Sequence, residues 1–283
     1  MRTLAPGSRR TQRECLDHIA SLMKNAKTSA DEVSWHLMRY EHTSEVRERM
    51  CKKGWSASYI NKHLAALRRV LKEAWLLRLM SAEDYQAAIN VPAVKGTRVP
   101  RGKHIPADVV STAVGELESD GTHLATRNAA ILALFRYTGM RRAELGWARV
   151  EDYDREAGEI RVIGKGNRER RIPLDGRAVR LLEAWLAVRG DASGPLFIPL
   201  GGKFVRESTS RERYLCGQAI ADIVKKIDAT PHDFRRTLVG DLLDANVDPA
   251  TIMDITGHAS YRVMLGYDRR KGARARDALA KLA

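Results

Sequence analysis

Apolar residues recur three or four positions apart over most of this chain of 283 residues, which is the spacing of one face of a helix. The clearest stretch runs from Ile60 through Leu64 to Leu67 and beyond, and Ser56 or Ser58 is its candidate N-cap. With a hydrophobic content of 44%, such a chain can bury a sizeable core between packed helices. The sequence therefore predicts a mainly α protein, and residues 10–89 are expected to be helical throughout.

The segment 91–104 interrupts this pattern and divides the chain. It contains two prolines, two glycines and four Lys or Arg residues, and it has no apolar period. We expect a basic interdomain linker here. It would join a helical domain of residues 1–90 to a second domain of residues 105–283.

The second domain contains the single clear β signal. Glu159–Ile163 and Arg168–Ile172 alternate in polarity around the turn sequence GKGN at 164–167, which predicts an antiparallel hairpin. The remainder is expected to be helical at about 107–117, 124–137, 141–147, 175–189, 209–227, 233–245 and 249–256, followed by a short helix that contains Tyr267. The tail, residues 273–283, is rich in Ala, Leu, Arg and Lys and is predicted to be a detachable helix.

The net charge of +14 indicates an acidic partner, of which nucleic acid is the most common. A merely basic protein, or a binder of anionic membranes, is the alternative. The candidate DNA-binding residues lie on the helix after Ser56 and in the linker: Lys62, Arg68, Arg69, Lys95, Arg98, Arg101 and Lys103. A solvated helix face is the competing interpretation of the first three.

Several classes of protein are disfavoured. The chain has no run of 18 apolar residues, so no membrane-spanning segment is expected, and its N-terminus lacks the apolar region of a secretion signal. Cys15, Cys51 and Cys216 lie far apart without metal-ligand spacing. We therefore expect neither a disulfide framework nor a zinc site, and a reducing cytoplasm fits. No metal or nucleotide cofactor has a visible site in the sequence, and none is expected.

Two imidazoles, an arginine and a phenol are concentrated near the C-terminus, at His232, Arg235, His258 and Tyr267. His232 and Arg235 are three positions apart at the start of a predicted helix, so both point the same way. Free helix N–H groups there favour a phosphate. A tyrosine with a pKa near 10 needs cations or a base to become a nucleophile. The set predicts attack of a tyrosine on a phosphodiester, although a His/Arg pair can also simply cap and solvate a helix.

Four motifs, in this order, resemble those of the tyrosine site-specific recombinases, the phage integrase and Xer-like family. Thr138–Leu145 (TGMRRAEL) resembles their first arginine box, and Gly164–Leu174 resembles their lysine hairpin. His232–Thr237 (HDFRRT) is similar to their second arginine box. Thr256–His258 (TGH) followed nine residues later by Tyr267 is similar to their Leu-Gly-His motif and terminal tyrosine.

The resemblance implies a phosphate-binding role for three residues and a supporting role for a fourth. Arg141 and Arg235 would clamp the scissile phosphate, and His258 would hydrogen-bond a non-bridging oxygen. Glu144 matches an acidic position that helps to order the family's site. From the residues alone, Arg142 remains an alternative to Arg141 if the register slips, and His258 can instead cap the next helix.

The resemblance also assigns the nucleophile and the proton transfers. Tyr267 would form a 3′-phosphotyrosyl intermediate, His232 would act as acid or base toward it, and Lys165 would protonate the 5′ leaving oxygen. Lys165 can also be a simple turn residue. Tyr214 and Tyr261 compete with Tyr267, but Tyr261 lies too near His258 for the family spacing.

A family member would have two domains that close as a C-shaped clamp on double-stranded DNA. It would act as a homotetramer on two synapsed sites, with a dimer on each site, and would exchange strands through a Holliday junction. The tail helix would dock on a neighbouring subunit, accessory proteins are left open, and no membrane is involved. Integration, excision and resolution of DNA all use the same motifs.

Two other classes of protein remain open. A type IB topoisomerase shares the same groups but nicks and reseals one duplex, and a non-catalytic DNA-binding accessory protein can keep the fold. The chain also departs from the family pattern. Thr256 stands where the family usually has Leu, Asn128 occupies a place often taken by Asp, and the segment after Tyr261 lacks a Thr-rich run.

Overall fold

The computed structural model describes residues 6–96, 102–164, 166–200, 213–266 and 279–280. The chain divides into two compact units, Met1–Val99 and Pro100–Ala283. Each unit has its own hydrophobic core. No helix in the described part of the chain is long and apolar enough to cross a membrane.

The first unit is helical. Its helices are α1 (Pro6–Lys24), α2 (Tyr40–Lys52), α3 (Ala57–Leu76) and α4 (Ala82–Ile89), with two 3-10 turns at Ala30–Glu32 and Trp35–Leu37. Ser56, rather than Ser58, caps α3, because its side chain accepts a hydrogen bond from the Tyr59 N–H at 3.3 Å. The long apolar face of α3, including Leu64 and Leu67, packs into the core of the unit.

The predicted linker begins as a packed segment. Val91 is buried with the α3 and α4 core, and Val94 contacts it. The Asn61 side chain donates to the Val94 carbonyl at 3.0 Å and accepts from the Val94 N–H at 2.8 Å. Residues 97–101 lie outside the described part of the chain, and Ile105 is buried in the core of the second unit.

The described part of the second unit contains eight α-helices with assigned bounds, a 3-10 turn at Val150–Asp152 and a helical fragment at 279–280. The eight α-helices are α5 (Ala107–Asp120), α6 (His123–Thr138), α7 (Arg142–Trp147), α8 (Gly176–Arg189), α9 (Gly217–Lys225), α10 (Pro231–Asp244), α11 (Pro249–Thr256) and α12 (Tyr261–Leu265). The predicted helix at 209–227 was wrong in its first part. Residues 213–216 are not helical, because α9 begins after Cys216, whose Sγ accepts from the Ala219 N–H; residues 201–212 are not described.

Three antiparallel strands form a small sheet in the order β1 (Tyr153–Asp154), β2 (Glu159–Ile163) and β3 (Glu169–Pro173). The register pairs Ile160 with Ile172 and Val162 with Arg170. The predicted hairpin of β2 and β3 is confirmed. The sequence does not predict β1, because a strand of two residues is too short to show alternating polarity.

Helix α6 is the centre of the second unit and packs against α5, α8 and α10. It is buried on nearly every side, so its sequence carries small and apolar residues around its whole circumference. It ends at Gly139, which has a left-handed φ of +58°. A Cβ on Gly139 would lie 2.9 Å from Leu238 Cδ2 of α10. The left-handed conformation of Gly139 turns the chain sharply where it lies against α10, and α7 begins at Arg142 just after this turn.

Candidate active site

Arg141 occupies the N-cap position of α7, two residues after the turn at Gly139. Its backbone N–H donates to Glu144 Oε2 at 2.8 Å, and its Nη1 donates to Glu144 Oε1 at 2.6 Å. Its Nη2 donates to the carbonyl of Gly257 at 3.2 Å. The Arg141 side chain is still 39% exposed, so a ligand can reach the guanidinium.

A second arginine, Arg170 of β3, also forms an ion pair with Glu144. Arg170 Nη2 donates to Glu144 Oε2 at 2.8 Å, and its Nε donates to the carbonyl of Ile255 at 3.0 Å. Burial raises the pKa of the Glu144 carboxyl, but the hydrogen bonds from Arg170 and Arg141 outweigh it and leave that pKa below its ordinary value. The carboxylate is therefore ionised and holds both guanidinium groups in place.

No motif in the sequence marks Arg170 as part of the site. A signal was available, because β-strand residues two apart share a face. Arg170 lies two positions before Ile172, which is buried in the core. An arginine on the inward face of a strand needs partners such as Glu144.

Arg235 lies on α10 and is almost completely buried, with 2% of its surface exposed. Its Nη1 donates to the carbonyl of Gly139 at 2.9 Å. Helix α10 starts with a capping box, in which Thr230 Oγ1 accepts from the Asp233 N–H and Asp233 Oδ2 accepts from the Thr230 N–H. The predicted spacing of His232 and Arg235 on one helix face is confirmed, since both lie within α10.

His258 follows the left-handed C-cap of α11 at Gly257 and is 6% exposed. Burial, followed by the charges of Arg235, Arg141 and Arg170, lowers the pKa of His258 to about 3. Burial and the neighbouring arginines also lower the pKa of His232. Both histidines are therefore neutral at pH 7.

The same electrostatic effects locate the groups relative to one another. Arg141 and Arg235 each act on both His232 and His258, and the two histidines interact with each other. Such effects fade with distance, so the four side chains surround one region. The start of α7, the start of α10 and the loop after α11 supply them.

A cleft of about 650 Å³ opens beside this cluster. Arg141, Arg170 and His258 line it, together with Gly164 and Gly166 of the hairpin. The two glycines flank Lys165, which itself lies outside the described residues, as do Tyr267, Arg98 and Arg101. The structure thus brings together Arg141, Glu144, His232, Arg235 and His258 of the predicted site.

The two competing tyrosines have different surroundings. The Tyr214 hydroxyl accepts from Arg149 Nη1 at 2.9 Å, and its ring packs on Trp147. Tyr261 begins α12 and is 51% exposed. Tyr214 is therefore tied into a surface contact near α7, whereas Tyr261 remains accessible.

The predicted DNA-binding residues have varied environments. Lys95 is exposed, and Lys62 Nζ lies 4.9 Å from the ring centre of Tyr59. Arg68 donates to the carbonyls of Ile89 and Val91, Arg69 is partly buried, and Lys103 forms an ion pair with Asp228. Within the described ranges, no three His, Cys, Asp or Glu side chains are placed to hold a metal ion.

Fold and site together define a tyrosine site-specific recombinase, an enzyme that cuts and rejoins DNA. Residues 103–272 match the model of the phage integrase family, and the chain belongs to that family. It is 29% identical over 254 residues to the tyrosine recombinase XerC of Pelobacter propionicus, covering 89% of this chain and 79% of the relative. It is 26% identical over 266 residues to XerC of Proteus mirabilis, covering 92% and 82%.

Solved structures with the same fold include the Tn1549 transposon integrase in complex with transposon right end DNA. That structure has a TM-score of 0.69 and 17% identity, over 99% of this chain and 95% of the integrase. A lambda integrase dimer bound to a COC′ core site has a TM-score of 0.66 and 13% identity, over 96% and 91%. The predicted mainly α fold with a small antiparallel sheet is confirmed. The topoisomerase and accessory-protein alternatives are not favoured.

Proposed function

We propose that this recombinase cleaves DNA by attack of the Tyr267 hydroxyl on a phosphodiester, forming a 3′-phosphotyrosyl bond. The P–O5′ bond breaks as the Oη–P bond forms, the phenol loses its proton, and the departing 5′ oxygen gains one. The observation that carries this proposal is the convergence of Arg141, Arg235 and His258. Arg141 donates to the carbonyl of Gly257, next to His258, at 3.2 Å, Arg235 donates to the carbonyl of Gly139, two residues before Arg141, at 2.9 Å, and Arg141 and His258 line one cleft.

The charge of the site suits this reaction. Among the described residues, Arg141, Arg170 and Arg235 provide three positive charges, Glu144 offsets one of them, and both histidines are neutral, so the cluster is cationic. A pentacoordinate phosphorane carries two negative charges. Groups already oriented toward such charge stabilise the transition state without rearrangement, which is the largest single contribution in many enzymes.

The proton transfers are assigned by matching the chain to the family's motifs. Burial and the neighbouring arginines disfavour the charged form of His232, so its ring is neutral at pH 7. A neutral imidazole has one unprotonated ring nitrogen, which would take the phenol proton of Tyr267. Lys165 would protonate the 5′ oxygen. Its neighbours Gly164 and Gly166 line the same cleft as Arg141 and His258, which supports this role.

A nicked suicide substrate tests the nucleophile. Its cleavage releases a short 5′-hydroxyl fragment that diffuses away, so the covalent complex accumulates. Tyr267→Phe should bind this DNA with unchanged affinity and form no adduct. Tyr261→Phe is the matched control, since it removes an accessible phenol six residues away and should leave the adduct yield unchanged. An adduct that persists in Tyr267→Phe and vanishes in Tyr261→Phe would move the nucleophile to Tyr261.

We further infer that the active form is a homotetramer on two synapsed DNA sites, in the cytoplasm, with strands exchanged through a Holliday junction. The basic residues at 91–104 would follow the DNA between the domains of residues 1–90 and 105–283.

The tail would dock on a neighbouring subunit, and the exposed Leu279 side chain supports this because it offers an apolar contact. Deletion of residues 273–283 should spare binding to one site and weaken synapsis. Unchanged recombination would reject the docking role.

A further inference from the structure

Thr256 is the last residue of α11 and lies two positions before His258. Its side chain is fully buried, so its hydroxyl needs hydrogen-bond partners within the protein. It contacts the backbone carbonyl of Ile252 at 2.5 Å and the Nδ1 atom of His258 at 2.7 Å. An apolar side chain at this position would avoid the free-energy cost of burying a polar group, so the hydroxyl must be stabilised by the hydrogen bonds that it forms.

The position of one hydrogen atom follows from these two contacts. A hydroxyl carries a single hydrogen, and the Ile252 carbonyl carries none. Two oxygens at 2.5 Å repel each other unless a hydrogen lies between them, so the Thr256 hydroxyl donates to Ile252. The Oγ1 atom then accepts from the ring, and the hydrogen of neutral His258 is on Nδ1.

We propose that Thr256 is a positioning residue that holds the neutral His258 ring in its Nδ1–H tautomer and fixes the orientation of the ring. The Nε2 atom is on the opposite edge of the ring. In this tautomer Nε2 accepts a hydrogen bond while the ring is neutral, and it donates one only after the ring has taken up a proton. This inference rests on the proposed function, in which His258 faces the scissile phosphate.

The charged groups around His258 keep its ring neutral, so the tautomer decides whether Nε2 accepts or donates a hydrogen bond. Among the described residues, the charged groups that act most on it are Arg235 of α10, Arg141 at the N-cap of α7 and Arg170 of β3, followed by His232 of α10, and Glu144 hydrogen-bonds the last two arginines named. These groups are predominantly cationic. They keep the pKa of His258 well below its usual value, so the ring meets the DNA in its neutral form. A neutral Nδ1–H ring can bind a non-bridging phosphate oxygen through Nε2 only by gaining a proton.

Nitrogen NMR of the full chain with labelled histidine tests the tautomer directly. The wild-type His258 signals, assigned by their loss in His258→Gln, should show a protonated Nδ1 and an unprotonated Nε2. Thr256→Val keeps the branched shape without the hydroxyl and should lose this signature. Thr256→Ser should keep it. Thr251→Val, in the same helix, removes a hydroxyl that contacts Asp248 and should leave the His258 signals unchanged.

The cleavage assay provides the second readout. Thr256→Val should form the covalent complex about tenfold more slowly, which is the lower end of the loss seen when the hydrogen-bond partner that orients a metal-bound histidine is removed. Thr256→Ser should restore most of the rate. A wild-type ring with its hydrogen on Nε2, or a Thr256→Val ring with an unchanged tautomer, would overturn the proposal. If no variant cleaves DNA, including wild type, the proposed function fails, and the NMR result still decides the role of Thr256.

Discussion

Arg170 Nη2 lies 2.8 Å from Glu144 Oε2, and this contact joins strand β3 to the start of α7 across 26 positions of sequence. Glu144 is buried, with 5% of its side chain exposed, and Arg170 is only 10% exposed, whereas the other partner of Glu144, Arg141, is 39% exposed. Glu144 thus links an inner arginine, which holds the site together, to an outer arginine, which can reach a phosphate.

Glu144→Gln should destabilise the protein and slow cleavage, because the amide cannot neutralise two guanidinium groups. We expect a loss of about 2–4 kcal/mol in the free energy of unfolding, since removal of one partner leaves buried positive charge uncompensated. Misplacement of Arg141 should slow cleavage by about 100-fold. Denaturant unfolding and the suicide-substrate assay measure the two effects. Glu48→Gln, which removes the charge of an exposed ion pair with Lys52, is the control. It should change neither the free energy of unfolding nor the cleavage rate by much.

Gly257→Ala should lower the free energy of unfolding by more than the strain of its backbone conformation alone. Gly257 and Gly121 both have φ of +65°, so alanine costs about 1 kcal/mol of backbone strain at either position. A Cβ on Gly257 would also lie 2.9 Å from Arg170 Nη1, whereas one on Gly121 would meet nothing within 4 Å. The difference in unfolding free energy between the two variants measures the displacement of Arg170. Equal losses would contradict a tight contact there.

The buried His258 should make the protein less stable in acid. Its pKa is about 3 in the folded protein and near 6.5 when unfolded, so between these values the unfolded chain binds a proton that the folded chain does not. Stability should therefore fall as the pH drops from about 6.5 to about 3, by up to about 3–5 kcal/mol. Denaturant midpoints across this range should fall less steeply in His258→Gln. The exposed His123 serves as control, and His123→Gln should keep the wild-type slope.

DNA binding should be strongly salt-dependent, because the net charge of +14 favours phosphate contacts that release counterions. Affinity should fall by orders of magnitude between low and physiological salt. Lys62→Ala and Lys95→Ala should each reduce the slope of log affinity against log salt by about 1, equally for target and non-target DNA. Lys52→Ala, whose amine is paired with Glu48, is the matched control. Salt-insensitive binding would argue against a clamp built on phosphate contacts.

Helix limits were largely predictable, because the signals that set them are local. Ser56 starts α3, Gly139 ends α6, and Pro231 and Pro249 occupy the first turns of α10 and α11. The prediction for residues 209–227 was wrong in its first part because a cysteine is an uncommon cap, and Cys216 gave no recognisable start signal.

The site was predictable as a set of groups but not as an arrangement. Motif order pointed to Arg141, His232, Arg235 and His258, and these four come together. Arg170 was missed, because its partner Glu144 lies in another element and no local pattern connects them. The roles of Lys165 and Tyr267 remain predictions from the motifs.

The sequence by itself determined the helical composition, the hairpin of β2 and β3 and the chemical groups of the site, since periodicity, capping and motif spacing all act within a few residues of chain. Only the tertiary structure decided the hydrogen-bond partners, the burial and the pKa values of these groups. Arg141 reaches the Gly257 carbonyl across 116 positions, and Arg170 joins Glu144 to the end of α11. Thr256 appeared in the sequence only as a departure from a leucine, and the packing of α11 gave its hydroxyl a partner in His258. Burial and electrostatics depend on distances in space, which the order of residues does not contain.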